Sequence, residues 1–157
     1  MKLAEALAMR SDAQKRLEQL TARATAVARY QEGEPPAEDP AALLAQAREA
    51  IAEIEALVRQ INRTNAATEL EPGRTITDAI AHRDALKARL KLENGIADAA
   101  TGRDHGYGFG RTLRSELRYV TDLPVADLRA EADRVARELR TLDSAIQQAN
   151  WSTELVA

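Results

Sequence analysis

The sequence predicts an all-α protein: an antiparallel bundle of four long helices, at about 3–29, 40–62, 76–101 and 124–150, with one short β segment near 113–120. Three observations point there. Aromatic residues make up only 3% of the chain while alanine is frequent, which suits helices packed closely through small side chains. Two segments, Leu44 to Ile61 and Val125 to Ala149, hold apolar residues at the alternating three–four step of a helix seam. Proline- and glycine-rich stretches separate the periodic segments. A length of 157 residues fits one domain, 1–157.

In the first helix, Ala6, Ala13, Leu17, Leu20, Ala24 and Val27 share a face, with Lys15, Arg16, Glu18 and Arg23 elsewhere. Gln31 to Pro40 holds three prolines, a glycine and four acids, and it stops that helix. Asp39 then reads as an N-cap and Pro40 as the first helical residue. The second helix carries the seam Leu44, Ala47, Ile51, Ile54, Val58 and Ile61, which asks for a long partner. Asn62 to Thr75 reads as a polar connection containing Pro72-Gly73, and Thr75 with Asp78 resembles a capping box opening helix three. That helix places Ile76, Ile80, Leu86 and Leu90 on one face, interrupted by Arg83. Pro124 opens the fourth helix, whose seam is Val125, Leu128, Ala132, Val135, Leu139, Leu142, Ile146 and Ala149.

Between helices three and four lies a glycine-rich loop, with Gly102, Gly106, Gly108 and Gly110. Leu113, Ser115, Leu117 and Tyr119 follow it, alternating with Arg114, Glu116 and Arg118 at the period of a strand. A strand needs a partner for its backbone donors and acceptors. The preceding loop, the connection between helices two and three, and a second copy of the chain can each supply one. An inter-subunit role is the favoured reading, with Tyr107, Phe109, Leu117 and Tyr119 as the oligomer contacts. Segment 103–118 carries four arginines against two acids, and the acidic 32–39 linker has no base, so the two are expected to meet across an interface.

The balance of 22 basic and 25 acidic residues gives a net charge of −3, with no basic stripe to call for nucleic acid. Stacking by Tyr107 and Phe109 on a base is correspondingly disfavoured. Nowhere do 18 consecutive apolar residues occur, so no membrane-spanning helix is expected. Glu5, Arg10 and Asp12 interrupt the stretch a signal peptide would need, so the expected location is cytoplasmic. Cysteine is absent, which excludes disulfides, thiolate zinc sites and a cysteine nucleophile.

No catalytic constellation, cofactor or metal site emerges from the residues. The two histidines are His82 and His105; His82 and Asp84 stand two apart and do not share a helix face, and the Glu-x-x-His pattern of di-iron bundles is missing. The ligand-binding candidates are Asn62, Arg63, Asn65 and Arg74, with Arg83-Asp84 beyond them, gathered near one end of the expected bundle around the N-terminus of helix three. A capped, hydrogen-bonded turn uses the same residue types, and that structural reading is preferred.

The chain resembles the septicolysin-like family of uncharacterised bacterial proteins at Met1 to Leu7, at Ile61-Asn62-Arg63-Thr64-Asn65, and at Gly73-Arg74-Thr75 with Arg83-Asp84. Ser115 to Val120 and Asn150 to Leu155 extend the likeness over nearly the whole chain. The resemblance implies a helical, oligomer-forming protein without an established activity. A pore-forming activity is not carried over, since neither a secretion signal nor an apolar insertion segment is visible. The leading expectation is a cytoplasmic, homo-oligomeric structural or interaction protein that pairs through helices two and four and through its 102–120 region. The rival is a small-molecule or anion-binding protein or enzyme using Asn62, Arg63, Arg74, Arg83 and Asp84.

Overall fold

The computed structural model of the chain describes residues 1–102 and 120–156. Its elements are α1 (Leu3–Val27), α2 (Pro40–Ala67), β1 (Glu69–Glu71), β2 (Arg74–Thr75), α3 (Ile76–Ala100) and α4 (Val125–Ser152). Four long helices and one two-stranded antiparallel sheet make the fold all-α in the main. The residues divide into two compact units, Met1–Thr77 with Ile146–Ala157 and Asp78–Ala145.

In the first unit α1 and α2 run antiparallel. Leu20 packs with Leu43 and Ala47, with Leu17, Ala24 and Val27 against them. Arg16 pairs with Glu53 and Arg23 with Glu38, so partners descend along α2 as α1 ascends. Asp39 caps α2 as its sequence position predicts, its carboxylate accepting from the Ala41 N–H at 2.9 Å ahead of Pro40.

The buried row of α2 differs from the expected seam. Leu43, Ala47, Ala50, Leu57, Ile61 and Thr64 are buried, whereas Leu44 and Ile51 remain 46% and 52% exposed. Ala47 and Ile61 belong to both rows. Neighbouring positions on a helix lie about 100° apart, so two adjacent rows satisfy the same three–four step, and only the partner's shape decides between them. α1 presents Ala6, Ala13 and Leu20, and it takes the row containing Ala47 and Ala50.

The structure also moves the end of α2 from about residue 62 to Ala67. Asn62 to Asn65 are therefore helical and do not form a connection. The real connection is a hairpin in which Glu69 lies opposite Thr75 and Glu71 opposite Arg74, across Pro72-Gly73. Gly73 has φ 74°, the left-handed conformation that the third residue of a Pro-Gly turn requires. Strands of three and two residues are too short to show alternation, which is why the pattern did not reveal them. The strand expected near 113–120 lies outside the described residues except for Val120, which is in no strand, and so do its contacts Tyr107, Phe109, Leu117 and Tyr119.

The ends of the chain are joined. The Leu3 N–H donates to the Thr153 carbonyl at 3.0 Å, and the Leu155 N–H to the Met1 carbonyl at 2.9 Å. Glu154 accepts from the Met1 amino group at 3.1 Å and pairs with Lys2 Nζ at 2.8 Å. Thr64, fully buried, accepts from the Val156 N–H at 3.0 Å through Oγ1 and donates to the Gln60 carbonyl at 2.8 Å. One hydroxyl thus ties the C-terminal tail to α2.

In the second unit α3 and α4 are again antiparallel, as the partners His82–Glu138, Arg89–Glu131 and Asp98–Arg129 show. Ala79, Leu86 and Ala97 are buried on α3, and Ala132 and Val135 on α4. Along α4 the expected seam agrees with the buried residues; along α3 the alanines carry more of the face than Ile80 and Leu90, which are half-buried.

Leu20→Ala removes a side chain 4% exposed at the centre of the α1–α2 contact and is expected to lower stability by about 2–4 kcal/mol in denaturant unfolding. Thr64→Val should cost about 1 kcal/mol and accelerate hydrogen exchange at Val156, while Thr64→Ser keeps the exchange slow. Equal exchange in both variants would show that the hydroxyl does not hold the tail.

Candidate functional site

The residues singled out from sequence fall on two units. On the first, Asn62 and Arg63 are exposed on the last turns of α2 and Asn65 is half-buried. Thr64 between them points inward to the tail. Arg74 on β2 lies 3.8 Å from Glu71 across the turn. On the second, the Arg83 guanidinium donates through Nε and Nη2 to one Asp84 oxygen, at 3.0 and 2.9 Å. Arg74 and Arg83 therefore each face an acid of their own segment.

His82 sits 3.1 Å from Glu138, at one end of a ladder of charges along α3 and α4. Arg134 bridges Glu138 and Glu131, at 3.4 and 2.6 Å. Glu131 also takes Arg89 at 2.5 Å, and Arg129 reaches Asp98 at 2.5 Å and Asn94 at 3.3 Å. Among the described residues no group of three or more His, Asp or Glu side chains is placed to hold a metal ion. No helix among them is long and apolar enough to cross a membrane.

Hydrogen bonding to Arg134 holds the Glu131 carboxyl below the usual carboxylate range, with the charges of Arg134 and Arg89 adding to it. Glu38 is lowered in the same way by Arg23, and Glu154 by Lys2 and the terminal amino group. Such groups stabilise the fold above their unfolded pKa, and the contribution disappears as pH falls through the lower folded value. Being near solvent, they are also screened by salt.

The two flanks of the α1–α2 contact differ in chemistry. One is a groove of about 500 Å³ lined by Arg16, Gln19, Arg23, Gln46, Glu49 and Glu53, with Leu20 and Ala50 at its floor. Its arginines are already bound to Glu53 and Glu38. The other is an apolar groove of about 360 Å³ between Thr21, Ala24, Thr25 and Ala28 of the first helical segment and Pro40, Leu44 and Ala47 of α2. Leu44 and Ile51 stand on α2 seven residues apart, two turns along one row. This exposed face is the candidate functional surface.

Sequence reading missed Arg10. It falls at the step between Ala6 and Ala13 on the buried face of α1, and its Nε is shielded from solvent without a hydrogen-bond partner. The three–four spacing of Ala6, Arg10 and Ala13 was the available signal.

Paired antiparallel helices, a clasp of the chain ends and an exposed apolar helix face define a mainly α-helical protein. The chain belongs to a family of unknown function, DUF6847, whose family model matches residues 10–155. It is similar to a solved structure described as a functionally unknown conserved protein from Corynebacterium diphtheriae, at 44% identity and a TM-score of 0.91, over 99% of each chain. No curated protein matches it. These findings replace the septicolysin-like resemblance, to which neither gives a link. Two of the segments that carried that likeness, Met1 to Leu7 and Asn150 to Leu155, are helix-end and clasp residues, whose chemistry is set by local hydrogen bonding.

Stability should fall as acidification passes below the ordinary carboxylate range, and Glu131→Gln should make that fall shallower in thermal melts. In about 1 M salt wild type and variant should converge. An unchanged acid limb in the variant would count against the ladder's contribution.

Proposed function

We propose that this chain is a self-associating structural or interaction protein, a homo-oligomer whose contacts include α2. One observation carries the reading: α2 has two adjacent apolar rows and α1 covers one of them, leaving Leu44 and Ile51 about half exposed. Large apolar side chains in a row on a helix are the usual mark of a surface that packs against protein. The high structural similarity over 99% of the relative from Corynebacterium diphtheriae supports a shared fold and adds no activity. A cytoplasmic setting belongs to the same reading.

An anion site at Asn62, Arg74 and Arg83 would need cations available to a ligand. Arg74 faces Glu71 and Arg83 is bound to Asp84, which supports a structural role for both. Sedimentation velocity on the full chain should show one discrete oligomer at micromolar concentration, with Arg74→Ala and Arg83→Ala leaving its mass unchanged. A strictly monomeric wild type would overturn the proposal.

A further inference from the structure

The uncovered face of α2 carries its own complement. Leu44 and Ile51 form its apolar row, continued by the half-buried Val58. Beside that row, Arg48 and Glu55 are both exposed, three residues before Ile51 and four after it. Arg48 makes no ion pair among the described residues, and Glu55 has only Arg59 at 4.0 Å. Ala45 and Ala52, also exposed, leave room for a second helix to approach closely.

Laid antiparallel on itself, α2 has a register that uses these features except Leu44, which falls opposite Arg59. A two-fold axis between Ile51 and Ala52 sets Arg48 opposite Glu55 of the other copy, twice. The same register sets Ile51 against Ala52 and Val58 against Ala45, a large side chain over a small one each time. A parallel pair would bring Arg48 against Arg48 and Glu55 against Glu55, and like charges facing each other disfavour it. We infer that α2 is the core of a two-fold symmetric interface in which it packs antiparallel on α2 of a second copy, with Arg48 and Glu55 fixing the register. This rests on the self-association reading and names the partner: the chain itself, through a self-complementary patch.

The experiment uses the full-length chain and sedimentation equilibrium. Ile51→Glu, at a position already half exposed, should abolish the association while leaving the melting of the subunit unchanged. Arg48→Glu and Glu55→Arg should each weaken the association by about tenfold, and the double variant should return it to within about threefold of wild type. Because the chain has no cysteine, single cysteines report the register directly. Ala45→Cys and Val58→Cys proteins should join through a short thiol crosslinker only when mixed, since each site is far from its own copy in this geometry.

An oligomer that survives Ile51→Glu, or whose single-cysteine proteins crosslink to themselves, overturns the antiparallel α2 interface while the self-association reading stands. A monomeric wild type overturns both. Capture of an added amphipathic helix by a monomer, blocked by Ile51→Glu, would assign the face to a different occupant and overturn the second-copy assignment.

Discussion

Alanine on the facing rows of α1 and α2 sets how the first compact unit is built. Ala6 and Ala13 on one helix and Ala47 and Ala50 on the other are buried with little side chain to separate the backbones. Leu20, Leu43 and Leu57 fill the remaining space, and the contact's polar edge is closed by Arg16–Glu53 and Arg23–Glu38. Such edge pairs add little energy in water and mainly favour one alignment over its neighbours. The cost of this choice of row is borne by Leu44 and Ile51, which the chain itself leaves in solvent.

Each helix seam carries one polar residue among its apolar ones. Arg10 falls on the buried face of α1, Thr64 on that of α2, Arg83 on that of α3 and Asn150 on that of α4. Thr64 is the best provided for, bonded on one side to its own helix and on the other to the tail. Arg83 meets Asp84, and Glu93, 16% exposed at its side chain, lies 3.9 Å from Arg89. Thr64 and Arg83 carry partners and so avoid most of the desolvation penalty, whereas Arg10 Nε is shielded without one. Within the second unit Glu131 takes both Arg89 and Arg134, and Glu138 takes Arg134 and lies beside His82.

Membership of DUF6847 and the similarity to the structure from Corynebacterium diphtheriae place the chain among proteins whose activity is not known. Arg74 and Arg83 are matched with acids, and the two arginines lining the larger groove beside α1 are paired as well. Leu44 and Ile51 remain about half exposed on α2.

Residue order alone determined the four helices, because proline, glycine and three–four apolar spacing act locally: Pro40 and Asp39 start α2, and Ala132, Val135 and Ile146 of the α4 seam are buried with the rest of it half-buried. It also exposed the polar cluster at Asn62 to Asn65, although not its place within a helix extending to Ala67. Tertiary structure alone decided which of two equally periodic rows of α2 faces inward, since one residue's rotation separates Leu43 from Leu44 and only the shape of α1 tells them apart. It also paired Glu69–Glu71 with Arg74–Thr75 and tied Val156 to Thr64. A two-residue strand has no period, and a bond between residues 92 positions apart leaves no trace in local pattern.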